Sequence, residues 1–266
     1  MMIRNVCWLP FASAVLCFLA AAPVSAAPMS LIDPGLSGST QYDEWTNTGL
    51  IGASNPGFPG FPGSGAWPSP IGSDAVGSGD ATLNKTANGS GGGPFPSGSS
   101  MYFGGFSSAI NNDGGTLQVA DATPVANLQT VSFQVQIGEA WTYDFFDDIL
   151  PTLSYNGGSQ DLAATTSLLL EQYDNGTVTM PSGEETVYIN TYLLTWDLSS
   201  IIGTISDFAI DFTGVQHATL FTLRLDQSDQ PVATPEPGSL ALLLGGIPAA
   251  IWCLRRRRNA NAELAA

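Results

Sequence analysis

Val131, Phe133, Val135 and Ile137 alternate with Ser132, Gln134 and Gln136, a period of two that predicts a half-buried β-strand. Phe208, Ile210 and Phe212 repeat the pattern against Asp207, Ala209 and Asp211. So do Phe221, Leu223 and Leu225 against Thr222, Arg224 and Asp226. With Thr213-Gly214 between them, these two runs read as a closing antiparallel hairpin. From Thr186 to Leu198 both faces are apolar: Val187, Ile189 and Leu193 on one, Tyr188, Tyr192, Leu194 and Trp196 on the other. That is the pattern of a strand at the centre of a covered sheet.

Turn chemistry separates the runs at Asn112-Asp113-Gly114-Gly115, Asn156-Gly157-Gly158, Asn175-Gly176 and Pro181-Ser182-Gly183. Asn175-Gly176 suits a two-residue hairpin turn between Leu168–Asp174 and Thr177–Met180. The stretch from Asp161 to Tyr173 fits either a short helix capped by Asp161 or a strand. Upstream, Tyr42-Asp43-Glu44-Trp45 predicts a first strand, and residues 52–100 read as a Gly/Pro-rich loop region. Its Gly-every-third-residue stretch at Pro56–Gly63 is too short for a triple helix. Phe58, Phe61, Trp67 and Phe95 would pin the loop in places. Many short strands, frequent turns and no strong helical period predict an all-β chain, a β-sandwich of jelly-roll type.

The two ends have a different pattern. Residues 1–26 combine Arg4, an apolar centre from Trp8 to Ala22 and the small residues Val24-Ser25-Ala26, the layout of a secretory signal peptide. Residues 234–259 contain Pro235-Glu236-Pro237-Gly238-Ser239, an uncharged run over 238–254, and Arg255, Arg256, Arg257 and Arg258. As a helix, 238–254 spans roughly 25 Å against the ~30 Å hydrocarbon core, a gap that snorkelling arginines and local thinning can close. The arginines place the tail, 260–266, in the cytoplasm and residues 27–233 outside. An ordinary short membrane anchor is the plainer reading of the same residues.

In order and spacing this C-terminal segment resembles the PEP-CTERM sorting signal of bacterial surface proteins. The resemblance covers about a tenth of the chain, with Pro248 inside the helix and eight residues after the arginines as small departures. It implies recognition by an exosortase-type membrane protease, cutting near Pro235–Pro237, transient membrane anchorage and delivery to the cell surface or an exopolysaccharide layer.

Charge narrows the partners. Of seven basic residues, Lys85 and Arg224 alone lie in the exported region, against twenty-one of the twenty-three acids, a formal charge of −19. Nucleic acid would be repelled and divalent cations attracted. Cys7, Cys17 and Cys253 all sit in the terminal segments, which excludes a disulfide scaffold, thiol catalysis and Cys-ligated zinc outside.

The chain has one histidine, His217, no G-x-S-x-G elbow and no His-rich metal spacing. His217 reads as a semi-buried, hydrogen-bonded structural residue. The stretch Trp141-Thr142-Tyr143-Asp144-Phe145-Phe146-Asp147-Asp148 carries the remaining candidate chemistry. Asp144, Asp147 and Asp148 are candidate calcium ligands, since a hard cation wants clustered oxygens; the bland alternative is a solvated acidic loop. Trp141 is a candidate platform for glycan stacking. These observations predict a non-catalytic, exported structural or adhesive protein of an exopolysaccharide layer that requires no cofactor. The alternatives are a carbohydrate-binding module and, further off, a carboxylate-dependent glycoside hydrolase.

Overall fold

A computed structural model describes residues 27–46, 49–51, 67, 69–98, 100–105, 109–180 and 182–232. The predicted signal peptide, the sorting motif, the helix over 238–254 and the tail lie outside the described residues. Among the described residues no helix is long and apolar enough to cross a membrane.

The described chain is all-β. In order, the strands are β1 (Thr40–Trp45), β2 (Ile71–Gly72), β3 (Thr82–Asn88), β4 (Phe95–Ser97), β5 (Ser100–Tyr102), β6 (Asp113–Asp121), β7 (Thr130–Gly138), β8 (Thr152–Tyr155), β9 (Leu162–Ala163), β10 (Thr166–Met180), β11 (Gly183–Asp197), β12 (Phe208–Val215) and β13 (Thr219–Ser228). One sheet runs β10-β11-β7-β13-β5-β4, with β1 also paired to β13; the other runs β2-β3-β6-β12-β8-β9. Every pairing between them is antiparallel.

The alternating residues explain why the two sheets meet. Val131, Phe133, Val135, Leu223 and Leu225 of the first sheet and Leu117, Val119, Ile210 and Phe212 of the second belong to one buried cluster. Phe133 and Phe212 touch across it at 5.8 Å between ring centroids. This arrangement is consistent with a β-sandwich. Burying each such side chain contributes about 1.5–3 kcal/mol.

Three local expectations are corrected and one open alternative is decided. The two runs read as a hairpin, β12 and β13, lie in different sheets, and Gln216-His217-Ala218 carries the chain from one to the other. Both strands have one apolar face, and those faces meet across the core, so periodicity could not tell opposed strands from adjacent ones. Asn175-Gly176 is a bulge inside β10, marked by the register shift between Asp174 and Thr177; the chain reverses further on, where Met180 pairs with Gly183. Gly176 sits at φ +98 and donates its N–H to Asp174 Oδ1, so its freedom is used for a kink rather than a reversal. Within 161–173, where helix and strand were both open, Leu162–Ala163 and the residues from Thr166 on are strand. Residues 52–100 are not all loop, because β2, β3 and β4 lie there. β3 buries Leu83 and Lys85 alone among its seven residues, a pattern too sparse to read. Trp67 and Phe95 are buried as expected; Phe58 and Phe61 lie outside the described residues.

β7 differs from its half-buried expectation too: all nine of its residues are buried. The extended N-terminal segment crosses its outer face. Gln134 exchanges hydrogen bonds with Ile32, accepting from its N–H at 3.0 Å and donating to its carbonyl, and Gln136 donates to the Met29 carbonyl at 2.8 Å. The polar face of β7 is a docking rail for backbone, not a solvated surface.

Candidate functional site at the loop end

The β5–β6, β7–β8 and β12–β13 connections gather at one end of the two sheets. The Asp147 N–H donates to Asn111 Oδ1 at 3.1 Å, Val215 N–H to the Asp144 carbonyl at 2.8 Å, and Gln216 N–H to the Asn112 carbonyl at 2.8 Å. Of the nine non-glycine residues at positive φ among the described residues, six lie here: Asn111, Trp141, Thr142, Asp147, Asp148 and His217. Such conformations cost on the order of 1–3 kcal/mol each and persist where surrounding contacts hold them, a pattern that clusters at functional sites.

Trp141 and Thr142 are the two central residues of a tight turn. Ala140 and Tyr143 flank it and exchange backbone hydrogen bonds at 2.7 and 3.0 Å. Both central residues are left-handed, at φ +50 and +72, where Asn-Gly is the usual pair. The half-buried indole packs edge-to-face on His217, with ring centroids 4.9 Å apart. His217 Nδ1 is hydrogen-bonded to the Tyr102 hydroxyl, and the Tyr102 ring meets Phe95 edge-on at 5.5 Å. Burial lowers the His217 pKa and raises that of Tyr102, so both stay neutral at neutral pH. The result is a stack of uncharged rings, Trp141 on His217 on Tyr102, fixed to the core.

The three predicted calcium ligands differ in burial. Asp144 is buried and its carboxylate accepts from the Phe145 N–H at 2.6 Å, Asn190 Nδ2 at 2.9 Å and the Tyr192 hydroxyl at 2.8 Å. Asp147 and Asp148 are exposed on the short 3₁₀ turn Phe146–Asp148. Among the described residues no group of three or more His, Cys, Asp or Glu side chains is placed to hold a metal ion. Asn112 Oδ1 and Asp113 Oδ1 accept local turn N–H groups, and Asn112 Nδ2 donates to Gln216 Oε1 at 3.4 Å.

One carboxylate pair was not read from the sequence. Asn190 Nδ2 donates at 2.9 Å both to Asp144 and to Glu139 Oε1, while Glu139 Oε2 accepts from the Tyr188 N–H. Burial first, and then the Asp144 charge, raise the Glu139 pKa against the pull of its donors; burial with the Asp144 charge pushes Tyr192 up as well. Two carboxyls sharing one amide donor are a pair that glycoside hydrolysis could use. Yet both oxygens of each accept internal donors, whereas a catalytic acid needs one facing substrate. A groove of about 450 Å³ opens instead on the outer face of the first sheet, between Met29, Glu44, Ile189 and Phe221, and neither carboxylate lines it. No contiguous signal marks this pair, because Glu139, Asp144 and Asn190 meet only through the β7–β11 pairing and the turn.

No family model matches this chain, and no curated protein or solved structure is significantly similar to it.

Proposed function

We propose that this chain is an exported, non-catalytic β-sandwich, carried to the cell surface by its C-terminal sorting segment and acting as a structural or adhesive component of an exopolysaccharide layer. The strand order supports a jelly-roll reading of the sandwich. Take β1, β6, β7, β8, β9, β11, β12 and β13 as eight strands in chain order. The first sheet then runs first-eighth-third-sixth and the second runs second-seventh-fourth-fifth, the order that winding two Greek keys around one core produces.

The observation that carries the reading is the Trp141 turn. A half-exposed indole is held on a strained two-residue turn, backed by His217 and Tyr102, with exposed Asp147 and Asp148 at the same loop end. A rigid ring with neighbouring oxygen acceptors suits sugar: the ring takes a pyranose face and the carboxylates take hydroxyls. The test is co-sedimentation of the full-length chain, in detergent, with the producing organism's exopolysaccharide. Retention by wild type and its loss on Trp141→Ala supports the reading; equal retention of both removes Trp141 from it, and no retention removes glycan.

The sorting half is tested separately. Replacing Pro235, Glu236 and Pro237 by alanine leaves the protein in the membrane if the segment is a processing signal, and changes nothing if it is a plain anchor. A hydrolase has the Glu139–Asp144 pair behind it; new reducing ends, lost on Glu139→Gln, would establish that reading instead.

A further inference from the structure

The end of the sandwich away from the Trp141 turn has a polar interior. β1 points Gln41, Asp43 and Trp45 inward, and β13 points Leu223, Leu225 and Gln227 inward opposite them in register. From the other sheet Asp121, the last residue of β6, continues the buried face of Leu117 and Val119. Asp121 is 1% exposed and accepts from Gln227 Nε2, from Gln41 Nε2 at 3.3 Å and from the Thr123 N–H at 2.7 Å.

Asp43 is 0% exposed and neither of its carboxylate oxygens has a hydrogen-bond partner. The Ala81 N–H and the Gln41 amide soften its charge without completing a bond, and the charges of Asp121 and Asp80 oppose it. Asp80 stands at the exposed rim, holding the Thr123 hydroxyl. The cations among the described residues are engaged elsewhere. Arg224 lies on the opposite face of the first sheet with Asp226, Glu44 and the Tyr42 ring, and Lys85 reaches toward the Gly92 carbonyl.

An uncompensated buried carboxylate is among the most expensive features a core can hold. A proton would neutralise Asp43 but leave both its oxygens unpartnered. A divalent ion ligated at ~2.4 Å satisfies oxygens on two carboxylates that make no hydrogen bond to each other, and matches their combined charge. We propose that Asp43 and Asp121 hold a divalent hard cation of the calcium class between the two sheets. The site is built from two carboxylates, with the Gln41 and Gln227 amides donating to Asp121 beside it, lies at the end away from Asp144, Asp147 and Asp148, and does not depend on the glycan reading. Its ion would tie β1 of one sheet to β6 of the other.

The experiment titrates calcium, then magnesium, into the chelator-stripped full-length chain in detergent at pH 7.5, by calorimetry and by thermal unfolding. The expected result is one ion per chain, a rise of several degrees in Tm, and at least a ~10-fold loss of affinity in both Asp43→Asn and Asp121→Asn. The double variant Asp147→Asn, Asp148→Asn keeps the binding. Circular dichroism at low temperature shows whether each variant retains its sheets, and Asp80→Asn, on the rim, gives a smaller loss in a chain whose core is untouched. No heat and no Tm shift at millimolar calcium or magnesium would overturn the proposal. So would binding that survives Asp43→Asn and vanishes with Asp147 and Asp148.

Discussion

Asp43→Asn in chelator isolates what one buried charge does to this sandwich. Burial, followed by the charge of Asp121 and the smaller contribution of Asp80, pushes the Asp43 carboxyl up to about 7 from its ordinary 3.8. The folded chain therefore binds a proton that the unfolded chain has already released. Stability from this group is fully present below about pH 4, falls as pH rises, and is exhausted above about 7. Three units at 1.36 kcal/mol each set the loss at roughly 4 kcal/mol. The asparagine of the variant has no charge to desolvate, so the metal-free variant at pH 8 should exceed wild type by up to that amount, on the order of 10 °C in Tm for a domain of this size. Urea or thermal denaturation followed by circular dichroism at pH 5 and pH 8 measures it. Asp121, Asp211, Asp226 and Glu139 are also raised, mainly by burial, and slope the same way, so the informative quantity is the difference between wild type and variant. Parallel pH profiles for the two proteins would refute the reasoning. In calcium the order reverses, since only wild type has the ion to bind.

Other perturbations test other parts of the molecule. Thr142→Gly removes a β-branched residue from φ +72 and should stabilise the chain by about 1 kcal/mol, read as a higher urea midpoint. Asn190→Leu takes away the amide that Glu139 and Asp144 share and should cost about 3 kcal/mol, with the loss smaller at low pH, where the raised Glu139 carboxyl is protonated. Gln134→Ala deletes both hydrogen bonds to Ile32; amide hydrogen exchange in residues 27–36 should accelerate while that of β13 stays slow. Phe133→Ala opens a void against Phe212 and should cost about 3–5 kcal/mol, seen as a fall in Tm.

How much of the candidate site was legible follows the same local logic. Trp141 and the acids after it were conspicuous because they are contiguous, and His217 because it is single. That His217 would back Trp141 was not visible, since 76 residues of chain separate them and only the crossing from β12 to β13 brings them together. Of the acids that look clustered in sequence, Asp144 is buried and bonded inside the turn while Asp147 and Asp148 are exposed. Those that converge, Asp43 and Asp121, are far apart in the chain and sit in unremarkable strand positions.

Side-chain period and turn composition act over a few residues, so the sequence alone determined that this chain makes many short antiparallel strands with one apolar face. It also determined the −19 charge of residues 27–233, the absence of cysteine from them and the order of residues in the terminal segments. Tertiary structure decided which strands lie side by side and which lie opposed: β12 against β6, β13 against β7, and Gln134 beneath the N-terminal segment rather than in water. An apolar face is satisfied equally by any apolar surface of the right shape. The choice among such surfaces rests on the packing of the whole chain around one core, which no local window contains.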